Sequence, residues 1–168
     1  TPWTIPVNRA LAYNSKIKYS IIKIKSDINH FKNKNIIIAS ELINKVSKEC
    51  NFKDFEILKE FIGYEFKNTV CSHPFNKMGY DYDVPMLEGD FVTLEQGTGI
   101  VHSAPSHGPD DFNLCLKHGI KASNTMNDGG VYSDEVPFFS GTHIFKADIL
   151  IIDKLSEHKS LLGKGKLQ

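Results

Sequence analysis

The sequence predicts a mixed α/β fold with a β-barrel-like core and peripheral helices. Three observations carry this expectation. Short strand-like runs recur between residues 18 and 101, helical spacing is confined to a few stretches, and Gly63, Pro74, Gly79 and Gly89 punctuate the runs. Many short strands with few helices point to a closed or strongly curved β-core rather than a doubly wound sheet.

Taken in order, residues 1–10 (TPWTIPVNRA) contain Pro2 and Pro6, which remove two backbone donors and resist helix, so extended or looped backbone is expected. Lys18 to Lys25 alternates as a strand should, a polar turn follows over Ser26–Asn35, and Ile36–Ala39 is a second strand short enough for a buried sheet. Ser40 is a candidate N-cap for an amphipathic helix reaching about Cys50. Strands are predicted at Phe55–Ile62, Glu65–Cys71, Val84–Leu87 and Phe91–Leu94. A Gly-Thr-Gly turn then precedes a short apolar strand at Ile100-Val101, an irregular loop, and a helix from Pro109 to His118. Proline is favoured at the first helical position, and acids in the first turn complement the partial positive charge there. Asp128-Gly129-Gly130 marks a turn within 124–132, and Ala147 to His158 has helical spacing.

At 168 residues the chain fits a single domain, 1–168, with a real core. Lys+Arg and Asp+Glu both number 20, so the net charge is zero. A domain that held nucleic acid alone by phosphate attraction would be basic, so any such contact here is local or supported by a larger assembly. Cys50, Cys71 and Cys115 are odd in number with no CxxC, which favours reduced thiols over a disulfide framework or zinc ribbon. No run approaches a membrane span and no secretory leader pattern opens the chain, so no membrane partner and a cytoplasmic location are expected. The opening Thr-Pro-Trp-Thr reads as a motif entered midway, which suggests a piece excised from a larger protein.

The densest chemistry lies in QGTGIVHSAPSHGPDDFNLCLKH, Gln96 to His118. His102, His107, Asp110 and Asp111 fall there at a strand end, in a loop and at a helix start, where polar groups can face a ligand from a rigid scaffold. A metal site built from these with Cys115 and His118 lacks the familiar HExxH and CxxC spacings. A nucleophilic triad through Ser103 or Ser106 lacks the GxSxG elbow, and Cys115 sits mid-helix, so neither a covalent nucleophile nor a metal is expected. A third reading is a pocket that recognises an amine. An aspartate in a first helical turn stabilises the helix start, or, turned into a partly desolvated cleft, holds an ammonium by a charge-assisted hydrogen bond. Spacing alone leaves those two roles open.

TPWTIPVNRALAYN together with GTGIVHSAPSHGPDDFNLCLKHGI resembles the editing domain (connective peptide 1) of isoleucyl-tRNA synthetase. The intervening HPF and VPMLEGDFVTLEQGTG and the later GTHIFKADILIIDKL resemble it in order and spacing, so the similarity covers essentially the whole chain. Related valyl and leucyl enzymes carry a Thr-Arg-Pro version of the first motif, and Thr-Pro-Trp-Thr favours the isoleucyl branch. The resemblance implies hydrolysis of valine mischarged on isoleucine tRNA and of valyl adenylate. Isoleucine exceeds valine by one methylene, worth only ~1–3 kcal/mol in a hydrophobic pocket, so a second, smaller site supplies the missing discrimination.

By the same resemblance Asp111 matches the aspartate that binds the substrate's α-ammonium, and His102 the histidine that bounds the side-chain pocket. Thr1 matches the last of a threonine run and Asn8 the motif asparagine, with Trp3 and Thr4 shaping the pocket between them. The implied partners are the 3′ end of mischarged tRNA, valyl adenylate and the rest of the synthetase in cis. No cofactor is implied for this domain, and Mg-ATP only for the full-length enzyme's catalytic domain. Two departures stand out: the threonines preceding Thr1 in the family lie outside this chain, and Ser106 replaces a frequent glycine, where a Cβ could alter the loop. The alternatives are a valyl-type domain clearing threonine and a non-catalytic tRNA- or protein-binding module of the same fold.

Overall fold

The computed structural model describes residues 1–166 and contains, in chain order, β1 (Ala10–Tyr13), β2 (Lys18–Ile24), β3 (Asn35–Ala39), α1 (Ile43–Glu49), β4 (Phe55–Ile62), β5 (Val70–Ser72), β6 (Asp83–Glu88), β7 (Ile100–Ser103), α2 (Pro109–Lys117) and α3 (Ile144–Glu157). The fold is mixed α/β, as expected. Its strands form a four-stranded sheet of order β5-β6-β1-β7 and a three-stranded sheet of order β3-β2-β4. The expected barrel does not close among the described residues; one predicted strand is shortened and another does not form. Gly63–Phe66 coils into a 3-10 helix and shortens the strand expected over 65–71 to Val70–Ser72. Phe91–Leu94 is bent by a turn in which Val92 N–H donates to Gly89 O at 3.2 Å, leaving Val92 buried as an anchor.

The chain divides into two compact units. One comprises Ala12–Lys67, Glu88–Val101 and residues 159–166. Its central strand β2 pairs antiparallel with β3 (Tyr19 opposite Ala39) and with β4 (Tyr19 opposite Phe61), with an irregularity between Ile21 and Ile22. Tyr19, Ile22, Ile24, Ile38 and Phe52 are buried in its core. Tyr19 Oη donates to Gly99 O at 2.6 Å, tying the Gly-Thr-Gly turn to the sheet. Gly99 itself has φ +80°, and a Cβ there would come within 2.5 Å of Ala39 Cβ, so the turn needs glycine for both conformation and space. Ser40 is not an α-helical N-cap: it lies in a 3-10 turn, its hydroxyl pairs with Ser20 Oγ at 2.7 Å, and α1 begins only at Ile43.

The other unit comprises Thr1–Leu11, Asn68–Leu87 and His102–His158. Phe75, Val84, Val136 and Ile151 form its buried core. The stripe Ala147, Ile151, Leu155 is the inner face of α3, as the spacing predicts. That helix starts at Ile144, three residues before the expected position, because His143 Nδ1 caps it by accepting from Phe145 N at 3.2 Å. The extended or looped backbone expected for residues 1–10 is overturned over Pro2–Val7, which is a 3-10 helix that packs against α3. Pro2 occupies a first-turn position whose N–H needs no partner, and the i→i+3 bonds fall on Thr4 and Asn8, which retain their donors.

Candidate active site

The candidate site residues Thr1, Trp3, Thr4, Asn8, His102 and Asp111 lie in the unit comprising Thr1–Leu11, Asn68–Leu87 and His102–His158. His102 sits on β7, Asp111 is the third residue of α2, and the loop between them carries Ser106 and His107. Thr4 joins the first motif to the second. Its hydroxyl donates to Thr1 O at 2.9 Å and lies 2.8 Å from His102 Nε2. A hydroxyl has one proton, already given to the carbonyl, so toward the imidazole it accepts and Nε2 bears the hydrogen. His102 Nδ1 is then a bare acceptor, and it is buried with no hydrogen-bond partner. Burial lowers the His102 pKa, with the Asp111 charge pulling the other way.

Asp111 is half-buried, whereas Asp110 beside it is exposed. Asp111 Oδ2 accepts from Ala104 N at 3.1 Å, so the carboxylate ties the loop's start to the helix rather than capping the helix's own amides. Gly108 is the N-cap and supplies no side chain. An ionised carboxylate has about four lone-pair sites, so one amide bond leaves acceptor capacity for a cation.

Trp3 stands edge-on to His107, ring centroids 4.9 Å apart, and His107 Nε2 lies 3.3 Å from Thr125 Oγ1. Burial lowers the His107 pKa as well, again opposed by Asp111. Ser106 raises no conformational problem: its φ is not in the left-handed region, and its hydroxyl donates to Ser123 O at 2.8 Å. The Asn8 amide oxygen accepts from Ala10 N at 3.2 Å, closing a turn at the entry to β1. The site thus unites Thr1, Thr4 and His102 directly, sets Trp3 on His107, and leaves Asn8 shaping the entry to β1.

Several supporting residues carry no signal in the sequence. His73, fully buried, hydrogen-bonds through Nε2 to the carbonyls of Ile5 (3.1 Å) and Pro6 (3.2 Å), while its Nδ1 accepts from Phe75 N at 3.0 Å. Both nitrogens are satisfied in one neutral tautomer, and burial pushes its pKa down to about 4. Tyr82 Oη donates to Asn8 O at 2.8 Å, Asp148 Oδ1 accepts from Trp3 N at 3.0 Å, and Tyr132 Oη bonds Trp3 O. The 3-10 helix is therefore held by partners from distant parts of the chain.

Among the described residues no three His, Cys, Asp or Glu side chains converge to hold a metal, and no helix is long and apolar enough to cross a membrane. Cys115 is buried on α2 and burial raises its thiol pKa, the opposite of an activated nucleophile.

Comparison with known proteins gives a consistent result. The family model described as leucyl-tRNA synthetase, editing domain, matches residues 10–142. An isoleucine–tRNA ligase of Pelagibacter ubique is 58% identical over 99% of this chain and 18% of its own length. One of Gluconobacter oxydans is 41% identical over 94% of this chain and 17% of its own. The chain thus spans under a fifth of these relatives. The crystal structure of GlLeuRS-CP1 superposes with a TM-score of 0.76 at 14% identity, covering 99% of this chain and 82% of that one. The P. falciparum cytosolic leucyl-tRNA synthetase editing domain gives 0.68 at 11% identity, covering 95% and 75%. At such identities the structural likeness is one of fold.

Proposed function

We propose that this chain, which belongs to the leucyl-tRNA synthetase editing-domain family, removes valine wrongly joined to isoleucine tRNA, acting in cis within a cytoplasmic isoleucyl-tRNA synthetase. The isoleucyl assignment draws on the similarity to isoleucine–tRNA ligases along nearly the whole chain. The observation that carries the reading is the Thr4–His102 hydrogen bond, which brings the Thr-Pro-Trp-Thr motif against the strand that leads to Asp111. In this reading Asp111 holds the α-ammonium through its remaining lone pairs. His102, neutral and fixed in one tautomer, bounds the side-chain pocket, and Thr1, Trp3, Thr4 and Asn8 shape and position the rest.

Water attacks the ester carbonyl carbon, the bond to the ribose oxygen breaks, and valine and tRNA with a free hydroxyl leave. Polar groups and the terminal ribose orient that water. The domain needs no metal or cofactor of its own, and Mg-ATP serves only the full-length enzyme's ligation step. Valyl adenylate is a second substrate of the same pocket. Deacylation of valyl-, threonyl- and isoleucyl-tRNA by the intact synthetase tests the reading. Valyl-tRNA should be cleaved and isoleucyl-tRNA spared, and an intact enzyme that cleaves neither would refute it, while preference for threonyl-tRNA would move the assignment to the valyl type.

A further inference from the structure

Arg9 lies one residue beyond the motif asparagine and enters none of the roles above. Its backbone N–H donates to Ser103 O at 2.9 Å, which ties its backbone to the residue that follows His102. Its guanidinium stands 5.1 Å from the centroid of the Tyr82 ring in a cleft of about 220 Å³, lined also by Tyr80, Thr125, Glu135 and Pro137. Tyr80 is a buried wall whose hydroxyl is committed to Pro137 O at 2.6 Å. Thr125 is shared with the candidate site through His107.

The charge balance of this cleft is incomplete. Arg9 Nε is buried with no hydrogen-bond partner, and neither the Lys25–Glu56 nor the Lys154–Glu157 ion pair involves Arg9. A guanidinium carries five donors and no acceptor, and removing it partly from water without a counter-ion is costly. The cation–π contact with Tyr82 offsets part of that cost. Glu135, the acid of the cleft, is exposed and does not pair with Arg9. An anion supplied from outside would pair with this guanidinium.

We propose that Arg9 binds a phosphate of the nucleotide portion of the substrate whose aminoacyl group occupies the neighbouring site. The inference rests on the editing reading, because that substrate's amino-acid carboxyl is esterified or joined to phosphate and phosphate is the one anion it offers. The phosphate belongs either to the 3′ end of tRNA or to an aminoacyl adenylate. A single local cation of this kind also reconciles a net charge of zero with a nucleic-acid substrate.

The test uses the intact synthetase with Arg9→Gln and Arg9→Lys and three substrates: valyl-tRNA, valyl adenylate, and valyl-adenosine, which lacks phosphate. Arg9→Gln should lower kcat/KM at least about tenfold for a phosphate-bearing substrate, mainly through KM, and leave valyl-adenosine unchanged. Arg9→Lys should recover part of the loss. A loss confined to valyl-tRNA assigns the phosphate to the tRNA, and one confined to valyl adenylate assigns it to the adenylate. Equal loss on valyl-adenosine, or no loss on any substrate, overturns the proposal. A second readout does not depend on hydrolysis: tRNA carrying valine through a non-hydrolysable amide, or a non-hydrolysable valyl adenylate analogue, should protect Arg9 from phenylglyoxal labelling read by peptide mass spectrometry. If the wild-type enzyme hydrolyses none of the three substrates the editing reading fails, and protection of Arg9 still decides whether a phosphate is bound there. Absence of protection by both ligands counts against it.

Discussion

Thr4 Oγ1 and His102 Nε2 lie 2.8 Å apart although 98 residues separate them, and the Thr4 hydroxyl is already donating to Thr1 O. The imidazole must therefore be the donor, and this one bond sets the tautomer of the residue at the centre of the site. Thr4→Val removes the acceptor and leaves a half-buried N–H unpaired, a cost of about 1 kcal/mol. Long-range ¹⁵N correlation spectra should show His102 protonated at Nε2 in the native chain and a mixed or reversed tautomer in the variant. A native Nδ1–H tautomer would contradict the assigned direction of the bond.

His102→Ala tests whether this imidazole sets the size limit of the pocket. The variant of the intact enzyme should begin to hydrolyse correctly charged isoleucyl-tRNA while retaining activity on valyl-tRNA. Unchanged discrimination between valine and isoleucine would assign the limit to another residue.

Asp111 and Asp110 share the start of α2 and differ in surroundings, since Asp111 is half-buried and bonded to Ala104 N while Asp110 is exposed. Helix-end electrostatics contribute about 0.3–1 kcal/mol at either position. Ammonium binding would be lost only at Asp111. Asp111→Asn should reduce valyl-tRNA hydrolysis by about tenfold or more, because a charge-assisted bond is roughly twice as strong as a neutral one. Asp110→Asn should leave it near wild type. Equal rates in the two variants would remove the ammonium role.

His73 makes stability depend on pH. Its folded pKa of about 4 lies below the ordinary 6.5, so the unfolded chain binds more protons between those values. Stability is thus full above about pH 6.5 and declines as pH falls toward 4. Between pH 7 and pH 5 the loss from this residue is about 2 kcal/mol, and His102, also shifted down by burial, acts in the same direction. Urea unfolding at the two pH values should show the loss, with a shallower pH slope in His73→Gln. An identical slope in that variant would place the titration elsewhere.

Gly97 and Gly99 separate conformation from space. Both have positive φ (+74° and +80°), but a Cβ at Gly97 meets nothing within 4 Å, whereas at Gly99 it meets Ala39 Cβ at 2.5 Å. Gly97→Ala should cost about 1 kcal/mol and Gly99→Ala clearly more, about 2 kcal/mol or above, by urea midpoint at constant m. Equal costs would mean that the sheet yields to the extra methyl at no expense.

The sequence by itself determined the elements whose signals are local. Phe55–Ile62 is a strand over the expected residues, Lys18–Lys25 misses by one, and the helix begins at Pro109 as the proline and paired acids require. The two motifs also made the editing fold legible, because they hold together in sequence. What only the tertiary structure decided depends on partners far along the chain. Residues 2–7 coil into a 3-10 helix despite two prolines, because His73, Tyr132 and Asp148 satisfy its polar groups and α3 covers it. Phe91–Leu94 is apolar enough for a strand yet turns, since a buried Val92 serves the core equally well from a bend. The open sheets, the His102 tautomer and the unpaired Arg9 likewise arise from which groups meet after folding. A hydrogen bond between residues 4 and 102 is invisible to any local pattern, because its energy is realised only when the intervening chain has brought them together.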